Sequence, residues 1–185
     1  MAPSMSILEQ AESRGKLRPT AAAESGQTAA AQAMRVMMIR SVSGAGGGAD
    51  KIILRTAARA QPQDLKASIC VIHRTRDLEF DYPQRAERVG AELYTVPERW
   101  PFDPQVYRRL QDIALRGQFD ILHSHDYKAD HYAARLGSKL KIPMVATAHG
   151  WTGHTLRERR LYYPANRRLL RRFDAVVCVS IDIKN

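Results

Sequence analysis

The stretch FDILHSHDYKADHYAARLGSKLKIPMVATAHG, residues 119–150, holds the pattern that decides the fold. Two short apolar runs, at 119–124 and 143–148, have the length and composition of buried β-strands. Between them, residues 128–140 repeat apolar side chains at helical spacing. A strand, a helix and a second strand in this order predict a βαβ unit, whose right-handed crossover makes the two strands parallel.

The same alternation continues on both sides of this unit. The sequence predicts further strands at 35–40, 67–72, 91–96 and 174–180, and further helices near 49–60, 79–89, 104–116 and 154–172. Repeated βαβ units predict an α/β fold, a Rossmann-like three-layer sandwich with a mostly parallel sheet of about six or seven strands. In such sheets ligands bind at the carboxyl ends of the strands, so candidate site residues are sought there.

Length and composition favour one folded domain behind a disordered leader. The 185 residues suffice for one core, and a hydrophobic content of 44% is typical of globular proteins. Residues 1–33 lack periodicity, so we expect a disordered leader there and a domain at 34–185. Cys70 and Cys178 lie in apolar runs, as buried thiols of a reducing cytoplasm do. No stretch fits a membrane-spanning helix or a signal peptide, so we expect a cytoplasmic protein.

The loop after the first strand is rich in glycine. Gly46, Gly47 and Gly48 directly precede the predicted helix at 49–60. Glycines let backbone N–H groups approach an anion at the positive end of a helix. This pattern favours phosphate contact, although a flexible turn would also require glycine.

The loop also fits a loose dinucleotide fingerprint, G-x-G-x-x-A, through Gly44, Gly46 and Ala49. That fingerprint requires an acidic residue at the end of the second strand to hold the ribose. Here the second strand ends at His73 and Arg74 instead. A nicotinamide-binding domain is therefore the weaker alternative.

Histidines end two further strands. His123 and His125 are two residues apart on the fourth strand, so their side chains project to the same face. They fit either a hydrogen-bonded pair or a metal site. A metal-dependent hydrolase needs further ligands from later strands, so we assign no metal. His149 ends the fifth strand beside Gly150 and is a candidate for substrate binding or proton chemistry, or else a structural histidine.

Taken together, these segments resemble the N-terminal domain of glycosyltransferase family 4. The resemblance runs from Met34 to the end and rests on four ordered motifs: GGAD (47–50), FDILHSHD (119–126), IPMVATAHG (142–150) and DAVVCVS (174–180). Asp50 stands where the family more often has Glu. The resemblance implies one half of a GT-B fold, in which a second domain holds the nucleotide sugar.

The resemblance also implies an activity and a set of site residues. It implies a retaining glycosyltransferase that uses a nucleotide sugar, needs no cofactor or obligatory metal, and acts on a glycan or lipid-linked acceptor in polysaccharide biosynthesis. Gly47 and Gly48 would approach the donor diphosphate, and His149 would be catalytic, contacting the transferred sugar or placing the acceptor. His125 and Asp126 would bind the acceptor.

The donor-gripping glutamates of the family are not found in this sequence. We therefore expect the C-terminal donor domain to be absent and the chain, as a truncated form, to be inactive by itself. A non-catalytic remnant that binds a sugar or a partner stays open as an alternative.

The segment between Thr155 and Asp174 is basic and amphipathic, with seven arginines and one glutamate interleaved with leucines and tyrosines. Together with a net charge of +10, this pattern is typical of contact with polyanions. We interpret Arg167, Arg168, Arg171 and Arg172 as a surface for an anionic membrane at its inner face; the alternatives are binding of the phosphate of a soluble acceptor and a solvated helix face. No nucleic-acid-binding module accompanies the charge, so we do not expect nucleic acid as a partner.

Overall fold

A computed structural model of the chain describes residues 33–60, 64–149 and 163–179. The contacts divide the chain into Met1–Gln32 and Ala33–Asn185, and the described residues all belong to the second unit. The leader predicted at 1–33 lies outside the described residues except for Ala33. Gly150 and the first part of the arginine-rich segment also lie outside them.

The described residues form a single parallel sheet. Its strands are β1 (Met34–Val42), β2 (Leu65–Arg74), β3 (Leu93–Glu98), β4 (Ile121–Ser124), β5 (Met144–Ala148) and β6 (Ala175–Cys178). They lie in the order β3-β2-β1-β4-β5-β6, and every neighbouring pair is parallel. The order reverses between β1 and β4, the switch point at which open α/β sheets bind ligands. The predicted Rossmann-like fold is confirmed.

Five helices are described beside the sheet: α1 (Gly48–Arg59), α2 (Tyr82–Arg88), α3 (Pro104–Gly117), α4 (Tyr127–Leu140) and α5 (Tyr163–Leu170). The first four begin and end within three residues of their predicted bounds. The helix predicted at 154–172 is described only from residue 163 onward. Pro164 lies in the first turn of α5, where a missing backbone N–H costs nothing.

The helices cover both faces of the sheet and form two cores. On one face, α3, α4 and α5 bury side chains such as Leu110, Leu136 and Leu170 against the sheet. On the other, α1 and α2 bury Ile53 and Tyr82. This burial on both sides explains why the strands are nearly continuous apolar runs and completes the predicted three-layer sandwich.

Close packing and capping fix helix α4 over the sheet. A Cβ added at Gly137 would lie 2.4 Å from the side chain of Met144, so glycine lets the helix approach the start of β5. At the other end, Asp126 caps the helix by accepting hydrogen bonds from the backbone N–H groups of Lys128 and Ala129, both at 2.9 Å. The loop between β4 and α4 is thereby held at the carboxyl edge of the sheet.

None of the described helices combines the length and apolar character needed to cross a membrane. Both cysteines are free thiols, with Cys70 buried in β2 and Cys178 half-buried in β6.

Candidate functional site

Arg40, at the carboxyl end of β1, joins the two loops that flank the switch point. Its Nε donates to Oδ1 of Asp50 at 3.1 Å, and its Nη1 donates to the backbone oxygen of His125 at 3.0 Å. Asp50 belongs to the first turn of α1 and is fully buried. A buried carboxylate is stable only when it is paired and hydrogen-bonded, so this ion pair holds the loop after β1 against the loop after β4.

The glycine loop wraps around the carboxylate of Asp50. The N–H of Gly47 donates to Oδ2 of Asp50 at 2.5 Å, and Gly47 is the residue that precedes α1. Gly46 has φ +72, and a Cβ there would lie 2.7 Å from the same Oδ2, so no larger residue fits this approach. The glycines therefore serve a contact within the chain.

The two glycines predicted to meet the donor diphosphate differ in this respect. The amide of Gly47 already has an acceptor, whereas Gly48 is exposed and a Cβ there would meet nothing within 4 Å. The N-terminus of α1 is thus open to a ligand at Gly48. Diphosphate binding by Gly47 and Gly48 stays a prediction.

Three histidines form a row at the ends of β4 and β5. The rings of His123 and His125 have centroids 4.1 Å apart, and those of His125 and His149 are 5.5 Å apart. His125 Nδ1 and His149 Nε2 share a hydrogen bond at 3.3 Å, and His123 Nε2 bonds to Thr147 Oγ1 at 2.8 Å. The predicted placement of His123 and His125 on one face is confirmed, and His149 lies at the same edge as the glycine loop.

All three histidines of this row favour the neutral form. Burial lowers the pKa of His125 to about 2, with further lowering by His123, His149 and Arg40. Burial and the neighbouring His149 lower the pKa of His123 to about 4. Burial and Arg40 also lower the pKa of His149. At neutral pH the three imidazoles are therefore uncharged and interact with their neighbours through hydrogen bonds. In the described part of the chain, no three His, Cys, Asp or Glu side chains are arranged to hold a metal ion.

Of the two residues predicted to bind the acceptor, His125 is buried and Asp126 is partly buried. His125 is only 4% exposed. Asp126 accepts from the N–H of Ser41 at 2.6 Å through Oδ2, while its Oδ1 caps α4. Burial raises the pKa of Asp126, and Arg40, 3.5 Å from Oδ2, opposes that rise. Both residues thus have partners within the fold, and their contact with an acceptor stays a prediction.

Beside the row, a cleft of about 340 Å³ opens at the carboxyl ends of β1, β2 and β3. Its lining includes the nearly buried ion pair of Glu98 and Lys128 and the exposed rings of Phe102 and Tyr127. Sequence reasoning missed this cleft, because it ended the third strand at residue 96 instead of Glu98. It also missed Arg40, although a charged residue closing an apolar strand was the available signal.

The four arginines predicted to meet an anionic surface are all exposed. Arg167 and Arg168 lie on α5, and Arg171 and Arg172 follow its last turn. Leu170 is buried between the two pairs. The described part of the segment is therefore amphipathic as predicted, while the part before residue 163 lies outside the described residues.

A parallel sheet in this strand order, with its polar cluster at the switch point, defines a Rossmann-like domain of the kind that forms half of a GT-B fold. A profile of Glycosyltransferase Family 4 matches residues 46–185. The chain belongs to this family. A comparison with curated proteins gives no match.

Solved structures with the same fold include transferases and epimerases. The HepE protein of Anabaena, in complex with UDP and glucose, is 14% identical with a TM-score of 0.57, over 76% of this chain and 36% of that one. The lipopolysaccharide outer core galactosyltransferase WaaB is 12% identical with a TM-score of 0.56, over 82% and 41%. The UDP-GlcNAc 2-epimerase of Methanocaldococcus jannaschii is 15% identical with a TM-score of 0.57, over 82% and 41%. This chain thus spans about two fifths of the proteins it matches.

Proposed function

We propose that the chain is the acceptor-side half of a retaining glycosyltransferase. It would transfer a sugar from a nucleotide sugar to a glycan or lipid-linked acceptor, in cytoplasmic steps of polysaccharide biosynthesis. One observation carries the proposal: Arg40 connects the glycine loop, through Asp50, to the row of His125 and His149. Membership of the family and the complex of HepE with UDP and glucose favour a nucleotide sugar as donor.

The glycine loop is suited to a leaving diphosphate. Negative charge grows on that group during transfer, so hydrogen-bond donors and a helix N-terminus aimed at it lower the barrier. Arg40 balances the charge of Asp50, which leaves the positive end of the twelve-residue helix α1 for a ligand that approaches over Gly48.

His149 is suited to hold a sugar hydroxyl. Its lowered pKa keeps the imidazole neutral, so the ring can accept or donate a hydrogen bond. Its Nε2 is engaged by His125, and we assign Nδ1 to the sugar. His125 then acts as a positioning residue, since it fixes the orientation of the His149 ring.

Transfer should also require a facing domain. The matched structures are more than twice as long as the aligned part of this chain, and a GT-B site lies between two domains. We therefore expect the 185 residues by themselves to show no turnover of a sugar nucleotide.

Deletion and complementation of the gene test the proposed function. The deleted strain should lose a glycan or glycolipid, and its membranes should lose transfer of labelled sugar from one nucleotide sugar. His149→Gln should restore roughly one tenth or less of that transfer, because a hydrogen bond made in the transition state is lost. The exposed Arg59→Gln, at the end of α1 away from the glycine loop, is the control and should restore it fully.

Two possible results would contradict different parts of the proposed function. A deletion that changes no glycan or glycolipid contradicts the transferase and favours a non-catalytic binding role. Full activity of His149→Gln contradicts the placement of the sugar at this histidine, while leaving the transferase itself standing.

The four exposed arginines on and just after α5 supply a second prediction, which concerns where the protein binds. Changing Arg167, Arg168, Arg171 and Arg172 to Gln should abolish sedimentation of the chain with vesicles rich in phosphatidylglycerol at low salt. Each basic residue near an anionic surface contributes about 1 kcal/mol. Wild-type sedimentation should also vanish toward 1 M salt, where the Debye length shrinks to about 3 Å.

A control variant removes the same charge from the opposite face, by changing the exposed residues Lys51, Arg55, Arg59 and Arg88 to Gln. It should sediment like the wild type. Equal loss in both variants would mean that only net charge matters, and a wild type that ignores the vesicles would leave the arginines as a solvated helix face.

A further inference from the structure

A second concave surface lies between helices α3 and α4. We call it the α3–α4 groove; its volume is about 400 Å³, within the range of small-molecule pockets. Its lining includes three cationic side chains and three Phe or Tyr rings: Arg108, Arg135, Lys139, Phe102, Tyr107 and Tyr132. It lies apart from the cluster around Arg40, whose residues do not line it.

Two of the three cations lie over one ring. The guanidinium of Arg135 lies 4.6 Å from the centroid of Tyr107, and Nζ of Lys139 lies 6.0 Å from it. Nζ of Lys139 also donates to Oε1 of Gln111 at 3.1 Å. A neutral ring and an amide orient these cations but leave their charge in place.

Within the described residues, no carboxylate neutralises them. The lining contains one acid, Asp103, which is 1% exposed and caps α3. Its oxygens accept from the backbone N–H groups of Gln105 at 2.9 Å and Arg99 at 3.4 Å. Ion pairs between described residues include none of the three cations. The groove therefore concentrates positive charge that an anion would balance.

The backbone at the mouth of the groove is held in an unfavourable conformation. Phe102 has φ +60, a region that bulky side chains rarely adopt. Its exposed ring lies 5.4 Å from His131 and 6.4 Å from Tyr132, centroid to centroid. Strain of this kind concentrates at ligand-binding sites, and here it keeps an aromatic surface beside the cations.

We propose that the α3–α4 groove binds a phosphoryl group attached to a ring or a glyceryl chain. The anion pairs with Arg108, Arg135 and Lys139, and the attached moiety packs on Phe102 and Tyr107. A soluble sugar phosphate and the headgroup of an anionic lipid share this chemistry. The site is separate from the one proposed for transfer, so neither proposal depends on the other.

Titration of the full chain with two probes tests the proposal. The probes are glucose 1-phosphate and dihexanoyl phosphatidylglycerol below its micellar concentration, followed by the NMR shifts of the Tyr107 ring. Glucose and dihexanoyl phosphatidylcholine are the controls without net negative charge. We expect saturable binding of at least one anionic probe, weakened tenfold or more by changing Arg135 and Lys139 together to Gln.

A matched variant changes Arg55 and Arg59 of α1 to Gln and should bind like the wild type. If glucose 1-phosphate binds and the lipid does not, the ligand is a soluble phosphate. If the lipid binds and glucose 1-phosphate does not, the ligand is a lipid headgroup. Either result supports the site. The proposal is overturned if neither anionic probe binds, if the groove variant binds as well as the wild type, or if both variants lose affinity equally.

Discussion

Replacing Arg40 by methionine is expected to lower the free energy of unfolding by about 3–5 kcal/mol. The side chain of Arg40 is 19% exposed and its partner Asp50 is fully buried, so the substitution leaves a charge in the interior without a counter-charge. It also removes the donor to the backbone oxygen of His125. Urea denaturation at pH 7.5 measures the loss.

Two further variants separate the buried pair from ordinary surface charge. Lys66 pairs with Glu92 at 3.1 Å, but these side chains are 46% and 35% exposed, so Lys66→Met should cost only about 0–1 kcal/mol. Adding Asp50→Asn to Arg40→Met removes the orphaned charge and should recover part of the stability. A loss from Arg40→Met no larger than that from Lys66→Met would show that the pair does not hold the two loops together.

The fold was predictable because its signals are local. Strands covered on both faces are continuous apolar runs, and the helices between them repeat apolar residues at their own spacing, as Val106, Leu110 and Ala114 do on α3. The crossover rule then leaves little choice of topology. The predicted bounds differ from the structure at the ends of elements, by two residues for β3, which runs to Glu98, and by three at the start of α2.

The site was predictable only in part, because its contacts depend on how strands align. Spacing placed His123 and His125 on one face. The contact of His125 with His149 needs the register of β4 against β5, in which His123 lies beside Val145. The partners of Arg40 come from the first turn of α1 and from the loop between β4 and α4, and no local pattern indicates them. Long-range ion pairs such as that of Glu98 and Lys128 cannot be predicted from the sequence either, because the two partners lie far apart along the chain.

The histidine row makes stability depend on pH. For His123 and His125 the folded pKa lies below the unfolded value of about 6.5, so the unfolded chain binds more protons in mildly acidic solution. Their contribution is complete above pH 6.5 and is lost as the pH falls. Asp130 acts in the opposite sense: burial raises its pKa to about 6, so the folded chain takes up a proton there below that pH.

We therefore expect the free energy of unfolding to fall by about 2–3 kcal/mol between pH 7.5 and pH 5. His123 and His125 each lower the stability by about 2 kcal/mol at pH 5, since the pH is then about 1.5 units below the unfolded pKa, and Asp130 raises it by about 1 kcal/mol. Urea denaturation at both pH values measures the difference. His125→Gln should reduce this difference by about 2 kcal/mol, because Gln does not titrate, and it should do so whatever the stability of the variant at pH 7.5. The exposed His131→Gln is the control and should lose as much stability as the wild type. A His125→Gln protein that loses as much stability as the wild type on acidification would show that His125 is not held neutral by the fold.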